Sequence, residues 1–213
     1  VAHSFPTRAL PISNKMMLEK TGDSYKASSY KEIQEKIHQF AAGLMNLGIK
    51  KGDRVSLISE GRNAWVISEL GILYSGGVNV PLSIKLQDGT DMKFRINHSG
   101  SRYVIISGAQ SRKISAIKKE LKTVDKIIYL DPREDYESDE LYYGDILEDG
   151  KKYLEKNHKK FEERWKSINH DDLANICYTS GTTADPKGIM LTHRNYTANV
   201  EQALTLMNIP TWF

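Results

Sequence analysis

Between Ile176 and Asn195 the chain reads I-C-Y-T-S-G-T-T-A-D-P-K-G-I-M-L-T-H-R-N. Two short apolar runs, Ile176 to Tyr178 and Ile189 to Leu191, flank an unbroken series of small or hydroxylated residues from Thr179 to Ala184, closed by Asp185, Pro186 and Lys187. Such a series has too little apolar surface to be core. The hydroxyls of Thr179, Ser180, Thr182 and Thr183, the bare backbone at Gly181 and the charge of Lys187 make a donor cluster suited to phosphate oxygens. A hydroxyl-rich surface turn is the plainer reading of any one of these features; their combination between two apolar runs favours phosphate. The spacing excludes a Walker A loop, in which the lysine follows the second glycine directly and opens a helix, and no G-x-G-x-x-G follows a predicted strand.

Upstream, the chain alternates helices and apolar strands. Ser29 and Glu32 form a capping box for a helix over about Tyr30 to Leu47, with Ile33, Ile37, Phe40, Leu44 and Leu47 at helical spacing and Gly48 as the stop. A strand over Arg54 to Ser59 follows. Asn63 is placed to cap a helix to about Ser75, ended by Gly76 and Gly77, and Val78 to Leu82 reads as the next strand. Asp88 opens a short helix to about His98, with Gly100 after it. Tyr103 to Ser107, a helix carrying Ile114, Ile117 and Leu121, and Lys126 to Leu130 continue the alternation. Continuously apolar strands separated by helices imply βαβ crossovers, and so an α/β fold: a doubly wound, mostly parallel sheet with helices on both faces.

Residues 131–170 break this rhythm. An acidic stretch, Asp131 to Asp149, reads as a loop or hinge, and a basic stretch follows in which Leu154, Phe161, Trp165 and Ile168 form one helical stripe. Glu155, Glu162 and Glu163 interrupt the positive charge, so the stripe is expected to pack on its own protein rather than on a membrane or nucleic acid. A strand over Ala174 to Tyr178 then delivers the loop. Thr192 is placed to cap a last helix to about Met207, whose N-terminal dipole would lie near the phosphate loop, with His193 as a helix-start residue. The expected organisation is a sheet subdomain over 1–130, a connecting segment with a helix over 131–170, and strand, loop and helix over 171–213.

The whole chain has 213 residues and a net charge of +3, long enough for a proper core and giving no push toward nucleic acid. Its one cysteine, Cys177, excludes an internal disulfide, fits a reducing compartment and reads as a core thiol rather than a nucleophile. No apolar run approaches the ~20 residues of a membrane span. A cytoplasmic protein is the expectation, with peripheral membrane contact left open.

The string from Tyr178 to Asn195 closely resembles the phosphate-binding signature of the adenylate-forming superfamily: acyl-CoA synthetases, peptide-synthetase adenylation domains and luciferases. S-E-G-R-N-A-W (Ser59 to Trp65) and G-I-L-Y-S-G-G-V-N-V-P-L (Gly71 to Leu82) are similar to segments of synthetases acting on long fatty acids, although Trp65 is read first as a core residue. The resemblance implies a fatty acid–CoA ligase that adenylates a fatty acid with ATP and Mg²⁺ and passes it to coenzyme A. It further implies that Thr179, Ser180, Gly181, Thr182, Thr183 and Lys187 contact the nucleotide phosphates. No catalytic residue and no metal ligand is assigned within these residues.

Ala184 stands where the family usually has glycine. Alanine keeps the backbone N–H, so it is read as a tolerated variant that stiffens the loop; a left-handed requirement there would cost about 1 kcal/mol. The adenine and ribose segments and the mobile C-terminal domain of the family are not found in this sequence, so it is read as an amino-terminal part, inactive by itself. A peptide-synthetase-type adenylation domain, an aryl-CoA ligase and a non-catalytic binding module are the alternatives.

Overall fold

A computed structural model describes residues 13–86, 89–179 and 186–206. An antiparallel hairpin, β1 (Lys15–Thr21) and β2 (Ser24–Ser29), leads into α1 (Tyr30–Asn46). The capping box is formed: the Glu32 N–H donates to Ser29 Oγ at 3.2 Å, and the Ser29 N–H to Glu32 Oε2 at 2.7 Å. After α1 the chain passes through Gly48 at φ +89°, a left-handed turn open to glycine without strain.

The alternation follows: β3 (Arg54–Ile58), α2 (Asn63–Tyr74), β4 (Val78–Pro81), α3 (Gly89–Ser99), β5 (Ser101–Ile106), α4 (Ser111–Ile117) and β6 (Lys126–Tyr129). Next come β7 (Glu140–Tyr142), α5 (Tyr143–Lys166), β8 (Leu173–Thr179), β9 (Lys187–Thr192) and α6 (His193–Leu206). One sheet holds seven strands in the order β7-β6-β5-β3-β4-β8-β9, parallel throughout except for the last pair.

Alternation along each strand divides the core. Val55, Leu57, Tyr103, Ile105, Ile128 and Leu130 face α1, α2 and α5; Ile58, Val80, Val104, Ile106, Ile127 and Tyr129 face α3 and α4. Burial on both sides is why these strands read as unbroken apolar runs. The chain leaves β3 toward one face and leaves both neighbours, β5 and β4, toward the other. That reversal opens a crevice at the carboxyl ends of the strands, the usual place for a ligand in such sheets.

Several details depart from the sequence expectation. The β1–β2 hairpin was not foreseen, because Leu18 and Tyr25 are exposed and no apolar alternation marks it. The acidic stretch expected as a loop or hinge carries β7 and the first turns of α5. Charge anchors β7, with Lys118 Nζ reaching Asp139 at 2.7 Å, Glu140 at 3.0 Å and Glu137 at 3.1 Å, while Tyr143 and Ile146 of α5 enter the core. Against the burial that would lower it, these three carboxylates raise the affinity of Lys118 for its proton. Asn63 is the first residue of α2 rather than its cap; Arg62 holds the cap position without a side-chain bond. Asp88 and Met207 lie outside the described residues.

The apolar stripe of α5 does pack on its own protein: Phe161 is buried against Ala41 and Ala42 of α1, with Leu154 beside it. The α1–α5 contact is close enough to need bare backbone. A Cβ on Gly150 would overlap the Gln39 carbonyl oxygen, and one on Gly43 the Ile146 carbonyl. Replacing Gly150 with alanine should therefore lower stability by about 1–3 kcal/mol through overpacking. In urea the midpoint should fall with an unchanged slope; an unchanged midpoint would show that the helices have room to part.

Candidate phosphate-binding site

β8 is two-faced. Ile176 and Tyr178 enter the core shared with α3, while the alternate residues Asn175, Cys177 and Thr179 line the opposite face. Tyr178 is pegged from α3: its hydroxyl lies 3.3 Å from the Arg95 carbonyl and 2.8 Å from His98 Nδ1, within hydrogen-bond reach of both. The Arg95 guanidinium stands 5.8 Å from the Tyr178 ring centre. The end of β8 is thus fixed one residue before the loop begins.

Thr179 is the last residue of β8 and Lys187 the first of β9, and the two are directly opposed in the antiparallel register, both exposed. The strands therefore bring these two candidate residues together at the mouth of the loop, on the carboxyl side of the parallel sheet. Ser180, Gly181, Thr182 and Thr183, together with Ala184, lie outside the described residues. Gly188 lets β9 lie against β8, since a Cβ there would stand 3.0 Å from Ile176 and 3.4 Å from the Tyr178 ring.

The expected helix dipole is not at the loop. β9 runs back along β8, so Thr192 pairs with Leu173 at the opposite end. At ~3.3 Å per residue the start of α6 lies roughly 20 Å from the loop, beyond the reach of its first-turn N–H groups. Ile189 to Leu191 is too short an apolar run to mark in sequence the six-residue return strand β9. At that far end the Asn195 carboxamide oxygen accepts from the Thr192 N–H at 2.8 Å, and Arg194 holds Asp171 with two bonds of 2.8 and 2.9 Å. His193 is a helix-start residue there, its imidazole pushed down by burial although Asp172 opposes this.

Cys177, expected in the core, is half-buried on the polar face of β8, with its thiol pushed up by burial and then by Glu69. Trp65, in the first turn of α2, packs against the core and borders a groove of about 650 Å³ shared with Met17, Leu18 and Arg62.

The crevice carries a polar cluster that motif reading missed. Arg62 Nη1 donates to both oxygens of Asp131, at 2.8 and 2.9 Å, and the Gly108 N–H donates to Asp131 Oδ2 at 2.7 Å. Beside them Gln110 donates to Glu60 Oε1 at 2.6 Å, and Glu19 of the hairpin accepts from the Asn63 N–H at 3.0 Å. Asp131 and Glu60 each follow the carboxyl end of a parallel strand, a position that could have marked them; nothing in the sequence points to Glu19.

The sequence pattern of the AMP-binding enzyme family matches residues 5–211, and the chain belongs to that family. It is 34% identical over 176 residues to long chain acyl-CoA synthetase 8 of Arabidopsis thaliana, covering 82% of this chain and 24% of that protein. To fatty acyl-CoA synthetase A of Dictyostelium discoideum it is 32% identical over 192 residues, covering 86% of this chain and 27% of the relative. It thus spans about a quarter of the length of these relatives. The fold matches that of a long-chain-fatty-acid-CoA ligase from Archaeoglobus fulgidus with a TM-score of 0.72 at 18% identity, over 90% of this chain and 35% of the other.

Asp131 gives a test of the crevice. Burial opposes its ionisation, but the Gly108 N–H and the Arg62 guanidinium hold its carboxyl below the ordinary value of 3.8. A carboxyl with a depressed native pKa stabilises above its unfolded value and loses that contribution as pH falls through the native one. Asp131→Ala should cost about 1–2 kcal/mol at neutral pH, and the difference from wild type should shrink only in acid below about pH 4. Thermal melts across pH check this; a difference that does not vary with pH would mean the carboxylate charge is not what Arg62 and Gly108 hold.

Proposed function

We propose that these residues are the amino-terminal part of an ATP-dependent acyl-CoA ligase that activates a fatty acid as acyl-AMP and transfers it to coenzyme A. The observation that carries the reading is the placement of Thr179 opposite Lys187 at the carboxyl edge of the sheet, flanking the hydroxyl-rich loop. The fatty acyl-CoA synthetases among the relatives support the acyl class. In this reading Thr179, Ser180, Gly181, Thr182, Thr183 and Lys187 bind the nucleotide phosphates.

When the carboxylate attacks the α-phosphate, negative charge gathers on the departing pyrophosphate. Donors already aimed at those oxygens stabilise that charge more than they stabilise bound ATP, and such a difference speeds the reaction. The protein's part is one ammonium, several hydroxyls and the loop N–H groups. Mg²⁺, usually held by phosphate oxygens and one or two carboxylates, would screen the same charge. Among the described residues no group of three or more His, Cys, Asp or Glu side chains stands together for a metal. No described helix is long and apolar enough to cross a membrane; the free Cys177 thiol fits the reducing cytoplasm proposed here.

The test is pyrophosphate exchange into ATP by the protein whose gene encodes these residues, dependent on a long-chain fatty acid, with AMP release dependent on coenzyme A. Exchange driven by an amino acid or an aryl acid instead would overturn the acyl assignment. In the same protein Lys187→Ala should slow adenylation by about 2–4 kcal/mol of barrier while leaving fatty-acid binding nearly unchanged. Ala184→Gly should leave the rate within a few-fold, because only loop entropy changes if the residue sits at negative φ; a large gain would show that alanine strains the loop.

A further inference from the structure

The face of β8 turned toward α2 meets an unusual neighbour. Asn175 is the registered partner of Asn79 on β4, and both side chains are buried, at 4% and 0% exposure. Over them lies Glu69 of α2, half-buried, with Asn79 Nδ2 donating to its Oε1 at 3.1 Å. The other half of the Asn79 amide is unsatisfied: its Oδ1 is buried and has no hydrogen-bond partner among the described residues. An ionised carboxylate accepts only and leaves Oδ1 orphaned. A carboxylic acid has a proton to donate, and can complete a planar pair in which each group gives one bond and takes one.

We infer that Glu69, on taking up a proton, closes this two-way acid–amide pair with Asn79, and that the pair is a proton-linked clamp between α2 and β4. Asn79 is where β8 registers on β4, so the clamp holds the strand that carries β8 and, after it, the loop. That consequence for nucleotide rests on the function proposed above; the clamp itself does not.

The surroundings favour the neutral form. Burial pushes the Glu69 carboxyl above its ordinary value of 4.5, with the Asn79 bond opposing. The titratable groups facing it are the Cys177 thiol on β8 and the Tyr196 phenol on α6, both pushed up chiefly by burial, and neither type of group can carry positive charge. β4 presents only Asn79, and α2 has no other charged residue. On α6, Arg194 is committed to Asp171, and His193 faces Asp172 and Lys51.

A carboxyl with a raised native pKa contributes stability that is complete below its unfolded value and lost as pH rises through the native one. The clamp is therefore closed in mild acid and opens toward alkaline pH. Glu69→Gln makes the pair permanent, since the glutamine amide donates to Oδ1 while its carbonyl accepts from Nδ2. Glu69→Ala removes it at every pH.

Melting temperatures of the whole protein that contains these residues, and of these two variants of it, near pH 4 and near pH 8, give the test. Glu69→Gln should match wild type near pH 4 and exceed it by about 2 °C near pH 8, while Glu69→Ala falls below Glu69→Gln at both. Hydrogen exchange of the Val78 to Val80 amides, compared at one pH at a time, should show stronger protection in Glu69→Gln than in wild type near pH 8 and equal protection near pH 4. A glutamine variant less stable than wild type near pH 8, a difference that does not change with pH, or an alanine variant equal to the glutamine one would each overturn the clamp. No nucleotide enters these measurements, so they stand or fall separately from the phosphate loop.

Discussion

The ladder between β4 and β8 registers a single pair, Asn79 with Asn175, whereas β8 and β9 register continuously from Asn175 to Thr179 and again at Leu173. Backbone bonds alone hold β8 to the parallel sheet only weakly, and side chains complete the attachment. On one face Ile176 enters the core with Val78, Val80 and Met92, and the Tyr178 hydroxyl is pegged to α3. On the other face Asn175 is buried beside Asn79 of β4, which is itself bonded to Glu69 of α2. The loop between Thr179 and Lys187 inherits its position from these attachments. A donor set aimed at phosphate is effective only if it is already in place when charge develops.

The βαβ succession was legible in the sequence because burial on both faces makes a strand apolar without interruption, as in Val104, Ile105 and Ile106 or Ile127 and Ile128. The α1 boundary was legible because Ser29 and Glu32 are a local device whose bonds span only three residues. What escaped depends on partners distant in sequence. β7 is held through Lys118, about twenty residues before it. The β1–β2 hairpin places Glu19 on the Asn63 N–H, 44 residues away, and neither residue announces the other.

The loop itself shows the same division. Its residue types were readable as phosphate donors, since glycine, threonine and lysine carry that chemistry wherever they fall. The direction of the chain after Lys187 was not, and so the α6 dipole was assigned to the wrong end of β8. A run of three apolar residues, Ile189 to Leu191, suits a helix entry as well as a strand. What decides between them is the antiparallel pairing with Asn175 to Cys177, a tertiary fact. Removing the dipole leaves Lys187 as the fixed charge nearest the loop in the described chain and makes its position opposite Thr179 the more consequential.

The two faces of β8 serve different ends. An apolar face packs by area and tolerates exchange of one hydrocarbon side chain for another of similar volume. A buried polar face is less forgiving, because each donor or acceptor left single carries the full desolvation penalty of its group. In α/β sheets of this kind a strand next to a ligand loop could be apolar on both sides, as β5 is. That β8 instead carries Asn175 and Cys177 beneath α2, with Asn79 and Glu69 across from them, exchanges tolerance for directional bonding. Directional bonds such as that from Asn79 to Glu69 resist sliding of a strand beneath its helix, which apolar contact does not. A slip of one residue at β8 would reverse its two faces and carry Thr179 away from Lys187.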